Sequence, residues 1–450
     1  MPRSRCAALA ALVPLALALP ATADAAFGPA QALDLPVAGA LVTAVMPDGA
    51  ATVAGLLSDS PVQARIEVAT RSAAGAPWRI AGFPTSARLV RDLQVVRGSR
   101  GTVLAWGEVR VHSQSIVVAT ADAGAHLTVR ERVPVANAFS AFPRLAVLRS
   151  GAVAVAWRDG RGTRSRVRAA TFDGDRFSSA PRTVGTDAAQ IAVAARGSGA
   201  AVGWVATQRP RIRTSRLGVP RARPRPLTIR ALDARGLPSG RATVVARDVD
   251  AKARLAGAPG GRLVATWVRP QKIRPYPGED RGDAPPPSAY INSVAFTREV
   301  RPRLLPSRPL SAPGQIALGI PSVALTGGGA VAALRVSGLG VPPAFDALTA
   351  SSDDGGPWPA PQLVAHLGFT GLDPVVVAPA SGPVVVYTAF FPAAAGAPRW
   401  AVGASGPAGP QVLGTTTAAN GRGIAVSRAG ERVLVAWPSV TGGVQVAEQG

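Results

Sequence analysis

One pattern recurs along the chain at intervals of about fifty residues: a Pro or polar lead-in, a short apolar run, a Gly-containing turn, and a second apolar run that often ends in Trp. The clearest copies of the second run are GTVLAW from Gly101, GAVAVAW from Gly151, GAAVGW from Gly199, GRLVATW from Gly261 and ERVLVAW from Glu431. Looser copies are GAATVAGL from Gly49, GAVAAL from Gly329 and GPVVVY from Gly382. A third run of small and β-branched residues follows, as in RIEVAT from Arg65, SIVVAT from Ser115, RVRAATF from Arg166 and LTIRAL from Leu227. After a turn with Asp, Gly or Ser comes a poorer fourth run, such as PWRIAGF from Pro77 or PWPAPQLVA from Pro357. Four short antiparallel strands per repeat predict a β-propeller blade, because a lone four-stranded sheet cannot bury both faces and must stack on its neighbours.

The turn glycines Gly49, Gly101, Gly151, Gly199, Gly261, Gly329, Gly382 and Gly430 mark eight units. The expected fold is therefore all-β, a single propeller of about eight four-stranded blades, with seven as the alternative if one loose unit is miscounted. The last unit has three strands, and a strand at about Gln31 to Val37 precedes the first unit. Pairing the two would close the ring and leave no open edge. Trp106, Trp157, Trp204, Trp267 and Trp437 occupy equivalent strand positions and read as packing between blades, whereas Trp78, Trp358 and Trp400 fall outside that register.

Composition agrees with this reading. The chain has 49 Gly and 42 Pro, too many helix breakers for a bundle or coiled coil, and 47% hydrophobic residues, enough for a sizeable core. Two long uncharged stretches, Pro309 to Leu334 and Pro374 to Pro398, are interrupted by Pro and Gly and read as strand pairs, not membrane helices. Residues 1–25 have the order of a secretory signal: Arg3 and Arg5, an apolar stretch from about Ala7 to Leu19, then Ala23-Asp24-Ala25 before Ala26. The expectation is an exported protein, extracellular, periplasmic or cell-wall associated, whose propeller occupies residues 26–450 and which is monomeric. Cys6 lies inside the signal, so the exported part has no cysteine for a disulfide, a zinc site or a nucleophile.

Ser351, Asp353, Gly355 and Trp358 in SSDDGGPW match the pattern Ser/Thr-x-Asp-x-Gly-x-Thr-Trp, with Pro357 in the Thr place. Thr120, Asp122 and Gly124 begin a second copy that ends in Leu127; Thr171, Asp173 and Asp175 begin a third, with Phe177 one place early. On these motifs the chain resembles the sialidase-type, Asp-box (BNR-repeat) propellers, as a non-catalytic member. The resemblance implies that the box is a folding device, an Asp capping a tight hairpin with an aromatic beneath it, on the side away from the catalytic face. Sialidases also have an arginine triad, a Tyr nucleophile partnered by Glu, and an Asp acid. Here Tyr276, Tyr290 and Tyr387 are the only tyrosines, and none has a Glu partner by motif.

The three histidines, His112, His126 and His366, have no metal-ligand spacing, and a Gly-x-Ser-x-Gly elbow, a Walker loop and an EF-hand loop are missing, so neither a metal nor a cofactor is expected. The formal net charge is +23, nearly all arginine, since Lys252 and Lys272 are the only lysines. GC-rich coding bias accounts for part of this excess, but the field still attracts polyanions at low salt. Two insertions depart from the period, at about 206–226 and 269–288, both between second and third strands of adjacent units. The first carries Arg209, Arg211, Arg213, Arg216, Arg221, Arg223 and Arg225 and no carboxylate; the second carries Tyr276 among prolines and mixed charges. Side by side on one face, they are the candidate ligand-binding residues for an acidic glycan, a cell-wall polymer or an envelope protein. The competing reading is a solvated loop whose arginines pair with Glu279, Asp280 and Asp283. An exported chain without aromatic-interleaved basic motifs speaks against nucleic acid as the partner. The functional expectation is a non-catalytic recognition or scaffold module; the alternative is a glycan-directed hydrolase or lyase on the same fold, which carboxylates clustered at the central channel would favour, whereas an apolar or arginine-lined channel would favour binding.

Overall fold

The computed structural model describes residues 26–60, 63–137, 141–207, 225–250, 253–258, 260–270, 293–300, 304–311, 315–337, 345–353, 356–368, 372–391, 399–416 and 423–450. The expected signal segment, residues 1–25, lies outside them. The described chain is nearly all β, in eight four-stranded antiparallel sheets. Blades 1 to 7 span residues 41–84, 89–134, 144–186, 188–249, 253–309, 316–368 and 375–416, each running in sequence order from its first strand to its fourth. Blade 8 takes three strands from residues 425–449 and its fourth, outermost strand from Gln31–Leu33. The first strands touch one another in succession all the way round, so they surround a central channel. Eight is the correct count, and the three loose units are genuine blades.

Burial explains why the second strands were legible and the fourth were not. In blade 2 the second strand, Gly101–Val109, is buried almost throughout, because sheets press on both of its faces. Its sequence is accordingly a continuous apolar run. The fourth strand, Leu127–Pro134, alternates half-buried with exposed positions, and its apolar signal is diluted by half. The uncharged stretches form strand pairs as expected: Ile316–Leu325 with Gly329–Ser337, and Val375–Val377 with Val384–Phe391. Among the described residues, no helix is long and apolar enough to cross a membrane.

Each register tryptophan packs on the preceding blade. Trp106 joins Ala54, Ile66 and Val68 of blade 1 and meets Phe83 edge-on at 6.2 Å. Trp157 packs on blade 2, Trp204 on blade 3, Trp267 on blade 4 and Trp437 on blade 7. Two glycines on fourth strands clear the space: a Cβ at Gly185 would lie 2.4 Å from the Trp204 ring, and one at Gly414 would lie 3.0 Å from Trp437. Two turn glycines serve a different purpose from the rest. Gly199 and Gly329 do not have positive φ; a Cβ there would strike the carbonyl oxygens of Leu232 and Ser352 on the adjoining third strands at 2.0 and 2.2 Å.

The ring closes as expected, but over a shorter strand than Gln31 to Val37. Only Gln31, Ala32 and Leu33 pair, opposite Val446, Gln445 and Val444. Beyond them Pro36 has no N–H to donate to a ladder, and the chain turns toward blade 1, where the Ala38 N–H bonds to the Leu56 carbonyl at 2.9 Å. Trp78 of blade 1 donates its indole N–H to the Gln31 side chain at 3.1 Å, with the Arg71 guanidinium 5.0 Å from its ring. Glu448 of blade 8 pairs with Arg71 and with Arg432. Trp78 is thereby accounted for as part of the closure, and Trp400 as a packing partner of Phe390 at 5.1 Å.

Candidate functional site

Both insertions leave the sheet on the same face, between second and third strands of neighbouring blades 4 and 5. In blade 4 these strands are Gly199–Ala206 and Arg225–Leu232; in blade 5 they are Leu263–Pro270 and Ser293–Glu299. Arg209, Arg211, Arg213, Arg216, Arg221, Arg223 and Tyr276 lie outside the described residues, as do Glu279, Asp280 and Asp283. Arg225 is described: it opens the third strand of blade 4, half-buried, opposite Val249. At the stem of the second insertion Arg269 is ion-paired to Asp248 and lies 4.4 Å from the Phe296 ring, which leaves this arginine committed to the fold.

The channel holds a set of charges that sequence reasoning did not single out. Arg144 is the first residue of the first strand of blade 3 (Arg144–Val147), and Arg254 is the second residue of that of blade 5 (Ala253–Gly257). Both keep solvent contact while protein encloses them on nearly every side. Blade 4 stands between their blades on the circumference, and Arg254 is still close enough to repel Arg144. Burial is the main cause that holds both below the usual arginine range. For Arg144, nearby Asp92 acts in the opposite direction and repulsion from Arg254 adds to the lowering. For Arg254 the opposing carboxylate is Asp373.

Asp92 and Asp373 are set by backbone irregularities. The first strand of blade 2 (Leu89–Gly98) changes register between Arg91 and Gln94, and Asp92 takes φ 55° within that bulge. A bulge re-aims a side chain in this way. Burial raises the Asp92 carboxyl above its ordinary value, against the pull of Arg144 and Arg91. In blade 6 the corresponding bulge contains Gly319 at φ 72°, where a Cβ would lie 1.8 Å from the Asp373 carboxylate. That carboxylate accepts the Ile320 N–H at 3.2 Å and stands 3.3 Å from the Arg335 guanidinium. Arg144, Arg254 and Arg335, with exposed Arg91 beside them, against Asp92 and Asp373 leave a surplus of positive charge. Such a surplus favours an incoming anion, which relieves the repulsion of Arg144 by Arg254.

The turns between third and fourth strands lie on the opposite face. Asp122 accepts the N–H groups of Gly124 and His126 at 2.8 and 2.9 Å, and Asp173 accepts those of Asp175 and Arg176 at 2.9 and 3.0 Å. Phe177 packs beneath the second of these turns, 6.2 Å from Trp157 and 6.0 Å from Phe172, despite its early position. Sequence reading missed a third capped turn in blade 4, where Asp233 accepts the N–H groups of Arg235 and Leu237; its signal was an Asp three residues before Gly236. At the best sequence match, Ser351, Asp353 and Trp358 are described but Gly355 is not; the Asp353 carbonyl accepts the Gly356 N–H at 2.9 Å. Tyr387 is half-buried with its ring against Gly403, a packing position. Among the described residues no three His, Cys, Asp or Glu side chains are grouped to hold a metal ion.

No protein-family model and no curated protein sequence matches the chain. Among solved structures, a puromycin hydrolase S511A mutant complexed with PGG aligns at 15% identity and a TM-score of 0.49, over 89% of this chain and 59% of its own. The polysaccharide lyase Uly1 aligns at 8% identity and a TM-score of 0.44, over 92% and 90%. A Trypanosoma rangeli sialidase aligns at 9% identity and a TM-score of 0.35, over 74% and 57%. The chain thus spans about three-fifths of the hydrolase's length. Its fold is established by its own strand topology, and no chemistry is carried over from these proteins.

Proposed function

We propose that this protein is an exported, non-catalytic recognition module of the Asp-box type. The face carrying the insertions and the channel mouth binds an acidic glycan or an anionic cell-envelope polymer. The observation that carries this reading is the pair Arg144 and Arg254, both enclosed by protein at the start of first strands, on the face of the insertions, with Arg254 close enough to repel Arg144. The arginine-rich segment from Arg209 to Arg225 supplies a sequence-independent electrostatic approach on the same face. The test is binding of residues 26–450 to acidic and neutral glycans and cell-wall polymers across a salt series, beside a deletion of Arg209 to Arg225 and the variants R144Q and R254Q. The reading expects acidic-ligand binding that falls steeply with salt, weakens in the deletion, and drops at least tenfold in either channel variant. Equal binding by all four proteins, or none by any, would overturn it.

One observation favours a glycan hydrolase instead. Asp92 has the raised pKa of a general acid and sits in the same channel as a second carboxylate, Asp373. Turnover of an oligosaccharide by the unmodified protein, abolished by D92N, would establish that activity in place of pure binding.

A further inference from the structure

A small groove opens between blades 5 and 6, on the face opposite the insertions. One wall is Trp358, half-buried, whose indole packs toward the cluster formed by Ala295, Leu310 and Leu334 while its other side lines the groove. The floor is the ion pair of Arg262 and Glu299 at 2.7 Å, fixed in place because Arg262 also donates to the Gly329 carbonyl at 2.8 Å. Arg298 is held by the carbonyls of Leu305 and Val245, whereas Arg308 stands exposed at the rim. The decisive residue is Thr297. It is 1% exposed, it lines the groove, and among the described residues its hydroxyl has no hydrogen-bond partner. A buried hydroxyl left unpaired destabilises the fold, and valine would fill the same space without that cost.

An aromatic plane, a fixed carboxylate-guanidinium pair and an unpaired hydroxyl within one small groove match a ring that offers an apolar face and adjacent hydroxyl groups. Arg308, which has no ion pair among the described residues, adds a preference for a carboxylate on that ring. We propose that this groove is a subsite for a single acidic sugar residue of the hexuronic type, stacked on Trp358. The ring's hydroxyls meet Glu299, Arg262 and Thr297, and its carboxylate meets Arg308. The subsite is independent of the channel, so the two readings stand or fall separately.

The experiment is ligand-observed NMR titration of residues 26–450 with glucuronic acid and with glucose, beside T297V, R308Q and W358A. Unmodified protein is expected to bind glucuronic acid in the millimolar range and several-fold more weakly glucose. T297V is expected to weaken both sugars at least fivefold while melting at the same temperature or higher, which a purely structural threonine would not do. R308Q should erase the preference for the acid, and W358A should abolish binding of both. If W358A does not fold, T297V and R308Q decide. Absence of binding by the unmodified protein at tens of millimolar, or T297V and R308Q indistinguishable from it, overturns the subsite.

Discussion

Asp122 and Asp173 show how one exposed side chain organises a turn. Each accepts two backbone N–H groups, and these donors hold both carboxyls below the ordinary aspartate range. A carboxyl with a depressed folded-state pKa contributes stability that is fully present above its unfolded value, about 3.9, and is lost as pH falls through the lowered one. The melting temperature of the unmodified protein should therefore fall below pH 4 more steeply than that of the double variant D122N/D173N; parallel curves would show that the caps contribute nothing measurable. Asp92 has the opposite sign. Its raised pKa means that its contribution is greatest when protonated, below the unfolded value, and is lost as pH rises through the folded one. Arg254 provides a different test. Its burial and the repulsion from Arg144 cost stability, while Asp373 keeps Arg335 as a partner. R254M should thus melt no lower than the unmodified protein even as acidic-ligand binding falls, the trade expected of a site kept for function. A large loss of stability would mark Arg254 as structural.

At the scale of a strand, the fit between blades depends on pairs that the one-dimensional pattern shows only by half. The tryptophans stand out in sequence because they end apolar runs. Their partners, Gly185 and Gly414, lie on weak fourth strands and look like turn glycines. Gly185→Val should cost about 1–3 kcal/mol through overpacking against Trp204, and Trp437→Ala about 3–5 kcal/mol through the cavity left between blades 7 and 8, both measurable by denaturant unfolding. The same limit explains the channel. Val90-Arg91-Asp92-Leu93 reads as an interrupted apolar strand, and nothing in its composition announces the bulge that turns Asp92 inward. Arg144 and Arg254 begin ordinary short strands. Their approach depends on the stacking of blades 3, 4 and 5, which brings together first strands that the sequence separates by more than a hundred residues. The repeat, the blade count and the closing strand were all legible, because they follow from burial on two faces and the need to hide an edge. The charged channel arises from the geometry of the whole ring, and the inter-blade groove from Thr297, a residue with no distinguishing neighbours in sequence.

For the whole molecule, closure rests on a seam of one very short strand. Three residue pairs, the Trp78 to Gln31 bond and the Gly28 N–H donated to the Glu448 carbonyl at 2.9 Å hold the N-terminal segment in blade 8, while the Glu448–Arg71 ion pair ties blade 8 to blade 1. A protein beginning at residue 34 should lose cooperative unfolding or melt well below the version beginning at residue 26. It should also self-associate through the bared edge of Val444–Gln449, visible by size-exclusion chromatography. Retention of a monomer with unchanged melting would show that the strand is dispensable.

The seam also sets an order of events in time. Leu33 and Val444 pair across roughly 410 residues of chain, so the first strand to be synthesised is the last to find its place. Until the final six residues of blade 8 emerge, seven blades can stack but the ring remains an open arc with a raw surface at either end. Joining such distant ends costs only logarithmically more entropy than joining near ones; the difficulty is waiting. A chain of this design stays unfinished for almost the whole of its synthesis, and a nascent copy that meets another before its own terminus arrives can trade strands with it.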